Sequence, residues 1–185
     1  MTRPTWQRPV SAVVVAAMVV FGVRELLYAD WSPMVPPLDR APLLLRADAK
    51  GSGRFGSPHS GGRSHRGVDL WAPVGSPVRA IRAGRVVKAE THKGLGNYVE
   101  IAHRGGLHSL YAHLDRIDVA KGRRVRQGEV IGIVGKTGNA KSPLIEPHLH
   151  LEIVRDGKPI DPALLGLTVI ETQRNQEPGE PDDEG

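Results

Sequence analysis

Ser64-His65-Arg66-Gly67-Val68-Asp69-Leu70-Trp71 is the stretch whose reading decides the fold class. A helix would place His65 and Asp69 on one face at i, i+4. Gly67 lies between them, however, and Val68 and Leu70 alternate with polar neighbours, so the stretch reads as a strand. A period of two still puts His65 and Asp69 on one face and Val68 and Leu70 on the other. The same parity groups His148 with His150 in Pro147-His148-Leu149-His150-Leu151-Glu152, with Leu149 and Leu151 turned to a core. It also groups Tyr111 with His113 in Leu110-Tyr111-Ala112-His113-Leu114, opposite Leu110, Ala112 and Leu114. Three strands can therefore offer polar side chains to one surface while burying aliphatics behind it.

Working outward, further short strands are expected at Pro77 to Ala80, Arg85 to Ala89, Tyr98 to Ala102 and Val130 to Val134, and the two histidine motifs extend to His108–Leu114 and His148–Val154. Glycine turns separate them, among them Gly75-Ser76, Gly94-Leu95-Gly96 and Gly135 to Gly138. No stretch in this region sustains a helical period, and the domain reads as mainly antiparallel β. Gly75 to Val87 and Gly122 to Ile131 echo each other as strand, glycine turn, strand, which suggests duplicated hairpins.

The 185 residues suffice for one domain with a core plus appendages. Net charge is +5, but the basic residues are scattered and not interleaved with aromatics, so a solvated basic surface is favoured over a nucleic-acid site. The chain has no cysteine, which excludes disulfides and thiolate metal ligands. Arg3 and Arg8 precede a nearly unbroken apolar run from Val10 to Val23. As a helix that run spans about 21 Å, and continuation to Tyr28 gives about 28 Å, close to the roughly 30 Å hydrocarbon core. Residues 1–31 are expected to be a signal segment or an uncleaved membrane anchor, the latter favoured because Leu27-Tyr28-Ala29 makes a poor cleavage site. Either way the remainder is expected outside the cytoplasm. Pro33, Pro36, Pro37 and Pro42 mark residues 32–50 as an extended tether, in which Leu43-Leu44-Leu45 can dock on the domain. The folded domain is expected over 51–166, and 167–185, rich in Glu, Asp, Pro and Gly, as a disordered acidic tail.

Each histidine motif alone is a weak signal, and the combination is stronger. Two imidazoles and a carboxylate, with a fourth position left to water, are what a catalytic zinc site requires. The candidates His65, Asp69, His113, His148 and His150 exceed that set by two, leaving two imidazoles for proton handling. Glu152 has the parity to face the site, either to orient a ligand or as a surface carboxylate.

His65-x-Gly67-x-Asp69, Tyr111-Ala112-His113-Leu114 and His148-Leu149-His150 resemble the signature of the LytM/lysostaphin-type zinc metallopeptidases, peptidase family M23. The resemblance runs from about Arg54 to Leu164 and takes in Ala72 to Val78, Gly96 to Val99, Gly128 to Gly132 and Thr137-Gly138. It implies a two-layer antiparallel β sandwich with a groove over one zinc ion per chain, and endopeptidase activity on the peptide stems or cross-bridges of bacterial peptidoglycan. It also implies that His65, Asp69 and His150 bind zinc and that His113 and His148 form the catalytic pair, without deciding which is the general base. The segment Asn139 to Glu146 is longer and bulkier than the family's usual small turn, and is expected to line the groove. Other histidines (His59, His92, His103, His108) are expected in structural or surface roles. The alternative is a non-hydrolytic member that binds peptidoglycan or activates a partner hydrolase. A biotinyl- or lipoyl-type carrier leaves three histidine motifs unexplained, and Gly135-Lys136-Thr137 fails as a P-loop because the first glycine falls at Val130.

Overall fold

Period-two patterning becomes strand in the computed structural model, which describes residues 14–20, 33–58 and 62–171. The strands are β1 (Leu43–Leu45), β2 (Ala47–Asp48), β3 (Gly51–Ser52), β4 (Val68–Trp71), β5 (Pro77–Arg79), β6 (Gly84–His92) and β7 (Gly96–Ala102). They continue with β8 (Leu107–Ile117), β9 (Arg124–Val125), β10 (Val130–Val134), β11 (His148–Arg155), β12 (Lys158–Ile160) and β13 (Val169–Glu171). Short 3-10 turns at Gly138–Lys141 and Pro162–Leu165 are the helical elements of the described domain.

The main sheet runs β13-β1-β4-β11-β8-β7-β6-β9, with β12 added beside β11 and a limb of β10 and β5 branching from β8. All pairings are antiparallel except β1 with β13. The two echoed segments interlock, since β5 pairs with β10 and β6 pairs with β9. One apolar core lies behind the histidine strands. Val68, Leu70, Tyr111, Leu114, Ile131, Leu149 and Leu151 are all buried in it, as the parity of β4 and β11 requires.

Two boundaries differ from the sequence reading. The proline-rich segment is not a free tether, because Leu38, Leu43 and Leu45 are buried in the domain core and Leu45 pairs with Leu70. Docking of Leu43-Leu44-Leu45 agrees with the sequence reading; what proline periodicity does not report is that these leucines form a strand of the sheet. At the other end, Leu167 is buried and β13 pairs with β1, so the fold extends past Gly166 to Glu171. Residues 172–185 of the expected tail lie outside the described residues. In the expected anchor, residues 14–20 are helical with exposed valines and Met18, and the rest of 1–31 lies outside the described residues. Among the described residues no helix is long and apolar enough to cross a membrane.

Candidate active site

The central strand pair sets the site. β11 aligns with β4 so that His150 faces Asp69 and His148 faces Trp71. On the other side of β11, His150 faces Ala112 of β8. His65 departs from the strand expectation, since it precedes β4 in a loop. Gly67 explains how the loop approaches closely: a Cβ there would stand 2.3 Å from the carbonyl oxygen of Leu151. Only glycine fits against that backbone.

Tyr111 and His113 do not share a face, which corrects the parity argument. His113 has φ +64°, a left-handed conformation uncommon for a residue with a side chain. The register slips there, with Val99 opposite Tyr111 but Asn97 opposite Leu114. One extra residue on β8 turns His113 toward the other histidines and leaves Tyr111 in the core. There the Tyr111 hydroxyl accepts from the Ile81 N–H at 2.9 Å, and burial pushes its pKa up to about 12.

All five predicted residues come together and all are buried. His65 Nε2 lies 3.1 Å from His150 Nδ1 and 3.2 Å from Asp69 Oδ1, and His150 Nδ1 lies 2.8 Å from Asp69 Oδ1. Ligand atoms about 2.0–2.1 Å from a tetrahedral zinc stand about 3.3 Å apart, so this triangle has the size such an ion needs. Electronic structure agrees. His65 Nδ1 donates to the Arg54 carbonyl at 2.8 Å, leaving Nε2 as the lone-pair nitrogen of a neutral ring. That lone pair, the carboxylate oxygen and His150 Nδ1 converge on one point. A proton or a cation must sit among them, and a Zn²⁺ ion suits two imidazoles and a carboxylate.

His113 and His148 stand beside this triangle with ring centroids 4.9 Å apart, edge to face. Each has its Nδ1 committed to a backbone carbonyl. His113 donates to Thr137 at 2.9 Å and His148 donates to Glu146 at 2.7 Å. Thr137 is itself fixed, because its hydroxyl donates to Leu114 O and accepts from the Asn97 N–H. Both rings therefore present Nε2 lone pairs, and His148 Nε2 lies 3.9 Å from Asp69 Oδ1. Burial, with His148 and His150 beside it, pushes the pKa of His113 down to about 3. Burial likewise lowers His148. Burial alone would raise Asp69, but the imidazoles of His150 and His65 against its carboxylate, with His148 nearby, together outweigh burial and hold the carboxyl well below its ordinary range.

A cavity of about 260 Å³ opens over these groups, and Asn139, Ala140 and Ile145 of the long loop form part of its wall. His92 also lines it, while His103 and His108 pair elsewhere with Ser109 and Glu100. His59 lies outside the described residues. Glu152 does not touch a predicted ligand; its carboxylate pairs with Arg66 at 2.9 Å. The group that does touch one is Arg46, a buried residue of the expected tether that no spacing rule singles out.

Comparison with known proteins gives the same picture. Residues 63–162, more than half of the chain, match the sequence profile of Peptidase family M23. Over 109 residues, 59% of the chain, it is 43% identical to the DD-carboxypeptidase/endopeptidase Mpg of Neisseria meningitidis, of which it covers 24%. The chain thus spans about a quarter of the length of the curated relatives it matches. Among solved structures, a zinc-containing peptidase from Vibrio cholerae aligns at TM-score 0.57 and 32% identity, covering 70% of this chain and 39% of that one. The catalytic domain of lysostaphin from Staphylococcus simulans aligns at TM-score 0.54 and 31% identity, covering 60% of this chain and 86% of that one. With the profile match spanning β4 through β12 and the five polar residues gathered on it, the chain belongs to peptidase family M23.

Proposed function

We propose that this chain is a zinc-dependent endopeptidase that hydrolyses peptide bonds of bacterial peptidoglycan. The observation that carries the reading is the triangle of His65 Nε2, Asp69 Oδ1 and His150 Nδ1 beside two histidines whose Nδ1 atoms are taken by backbone carbonyls. His65, Asp69 and His150 would hold the ion. A bound zinc supplies an acidified water, with pKa near 7, and polarises the scissile carbonyl. His113 and His148 do the remaining chemistry. Kept neutral by burial, one accepts the proton of the attacking water at Nε2. The same pair, once protonated, donates to the developing oxyanion or to the leaving amine. The groove walled by Asn139, Ala140 and Ile145 takes the peptide, and the limb β8-β10-β5 is read as the second layer of the family's sandwich.

Peptidoglycan as substrate follows from relatives named as peptidoglycan endopeptidases, including the DD-endopeptidase ShyB of Vibrio cholerae. That substrate lies outside the cytoplasm, in keeping with the arginine-led apolar run at the N-terminus as an export or anchoring segment. The test is mass spectrometry of purified peptidoglycan incubated with the full chain. New peptide amino termini that vanish with a chelator and return with zinc support the reading. Binding to peptidoglycan without any new terminus, in zinc-loaded protein, would favour the non-hydrolytic alternative.

A further inference from the structure

Asp69 is held from a direction that the catalytic reading does not use. Its Oδ1 faces His65 and His150, while its Oδ2 accepts from Arg46 Nη2 at 3.0 Å and Arg46 Nε at 3.3 Å. Arg46 is 4% exposed, so water screens that contact far less than it would at the surface. Its other nitrogen, Nη1, lies 2.5 Å from Asp48 Oδ2. Asp48 in turn accepts the Glu146 N–H at 2.9 Å and the Lys50 N–H at 2.8 Å. The guanidinium is thereby held between two carboxylates.

The backbone repeats the arrangement. Arg46 N–H donates to Asp69 O, Asp69 N–H donates to Gly53 O, and Gly53 N–H donates to Arg46 O, each at 2.8 Å. A Cβ on Gly53 would stand 2.7 Å from both the Cβ and the carbonyl oxygen of Asp69. Residues 46–53 are fastened to Asp69 by main chain and side chain together.

We propose that Arg46 is a positioning residue of the metal centre: by holding Asp69 Oδ2 it restricts this carboxylate to a single bond, through Oδ1, with the ion. This rests on the reading of His65, Asp69 and His150 as the ligands. A carboxylate free at both oxygens can bind a zinc ion with either one or two. Two-oxygen binding would fill the position that a catalytic site must leave open for water and substrate. Arginine suits the task because its planar fork reaches two acceptors in fixed directions, whereas lysine is a point charge. Through Asp48 and the Glu146 N–H, the same residue also ties the ligand to the groove loop, two residues before His148.

The experiment uses the full chain loaded with cobalt(II), bound cobalt being counted by elemental analysis. Visible ligand-field absorption per cobalt is strong for four-coordinate sites and weak for five- or six-coordinate ones. Arg46→Met removes the fork, and Arg46→Lys removes it while keeping the positive charge between the two carboxylates. Both variants are expected to lose absorption per bound cobalt several-fold, and zinc-saturated Arg46→Lys to turn over about 10–100-fold more slowly. If Arg46→Met does not fold, Arg46→Lys decides alone. Wild-type absorption and turnover in Arg46→Lys would reduce Arg46 to charge balance and overturn the proposal. A wild-type chain that takes up no cobalt overturns the ligand assignment itself, and the proposal with it.

Discussion

His113 Nδ1 donates to the carbonyl oxygen of Thr137 at 2.9 Å, and that bond decides which nitrogen His113 shows to the groove. The left-handed backbone at His113 makes it possible by turning the ring out of the strand's ordinary alternation. A backbone carbonyl within the glycine turn that follows β10, three positions past Val134, thus sets the tautomer of a residue on β8. The same device recurs at His65 with Arg54 and at His148 with Glu146. Three imidazoles share one orientation rule: the backbone takes Nδ1 and the site receives Nε2.

Gly67→Ala is expected to destabilise the fold by about 1–3 kcal/mol, the usual cost of forcing extra volume into a packed region. The added methyl meets the Leu151 carbonyl, which belongs to the central strand β11 and has no room to move. Denaturant unfolding of the metal-free chain checks this. A stability equal to that of wild type would show that the loop can retreat without cost.

Leu43→Ala is expected to cost about 2–5 kcal/mol, as for other fully buried leucines. A chain beginning at Gly51 should be less stable still, since it lacks β1 between β4 and β13 and also loses Arg46. Thermal melts of the two variants against the full chain measure both effects. Equal melting temperatures would return residues 33–50 to the role of a passive tether.

Acid should destabilise the metal-free protein earlier than carboxylate protonation alone would. His113 and His148 have folded pKa values below the ordinary 6.5, so between that value and the lowered ones the unfolded chain binds more protons. Stability from these two groups is complete above about pH 6.5 and is lost as pH falls. His65 acts in the opposite sense: burial lowers it, but the hydrogen bond to Asp69, the charge of Asp69 and the Arg54 carbonyl together outweigh burial and leave its pKa raised. Replacing His113 by Asn should flatten the slope of unfolding free energy between about pH 6 and about pH 4. The change should be up to about 1.4 kcal/mol per pH unit, one proton's worth. An unchanged slope would mean that His113 is not the buried neutral group described.

Much of this was legible in the sequence wherever one local rule sufficed. Leu149 and Leu151 against His148 and His150 follow from period two, and the structure keeps that division. Gly67 was readable as a helix breaker, though its contact with Leu151 O depends on a partner strand far along the chain. His113 was assigned to the right surface through the wrong geometry, because a bulge is invisible to simple alternation. Arg46 and Asp48 were missed altogether. They sit in a proline-rich stretch, and their meaning comes from contact with Asp69 and Glu146, at sequence separations of 23 and 98. No periodicity carries information over such distances, whereas paired strands create it.

The most direct test of the central claim is zinc content and turnover measured on the same batches of His113→Ala, His148→Ala, His150→Ala and the wild-type chain. The two outer histidines lie beside the ligand triangle without closing it, so His113→Ala and His148→Ala should keep about one zinc per chain. Their rate on peptidoglycan should fall by about 10²–10⁴-fold, the usual size of a general acid–base contribution. His150→Ala should lose zinc and activity together, because Nδ1 of His150 is a corner of the triangle. A zinc-free His148→Ala beside a zinc-loaded His150→Ala would exchange the two roles. Wild-type turnover in both His113→Ala and His148→Ala would contradict the account.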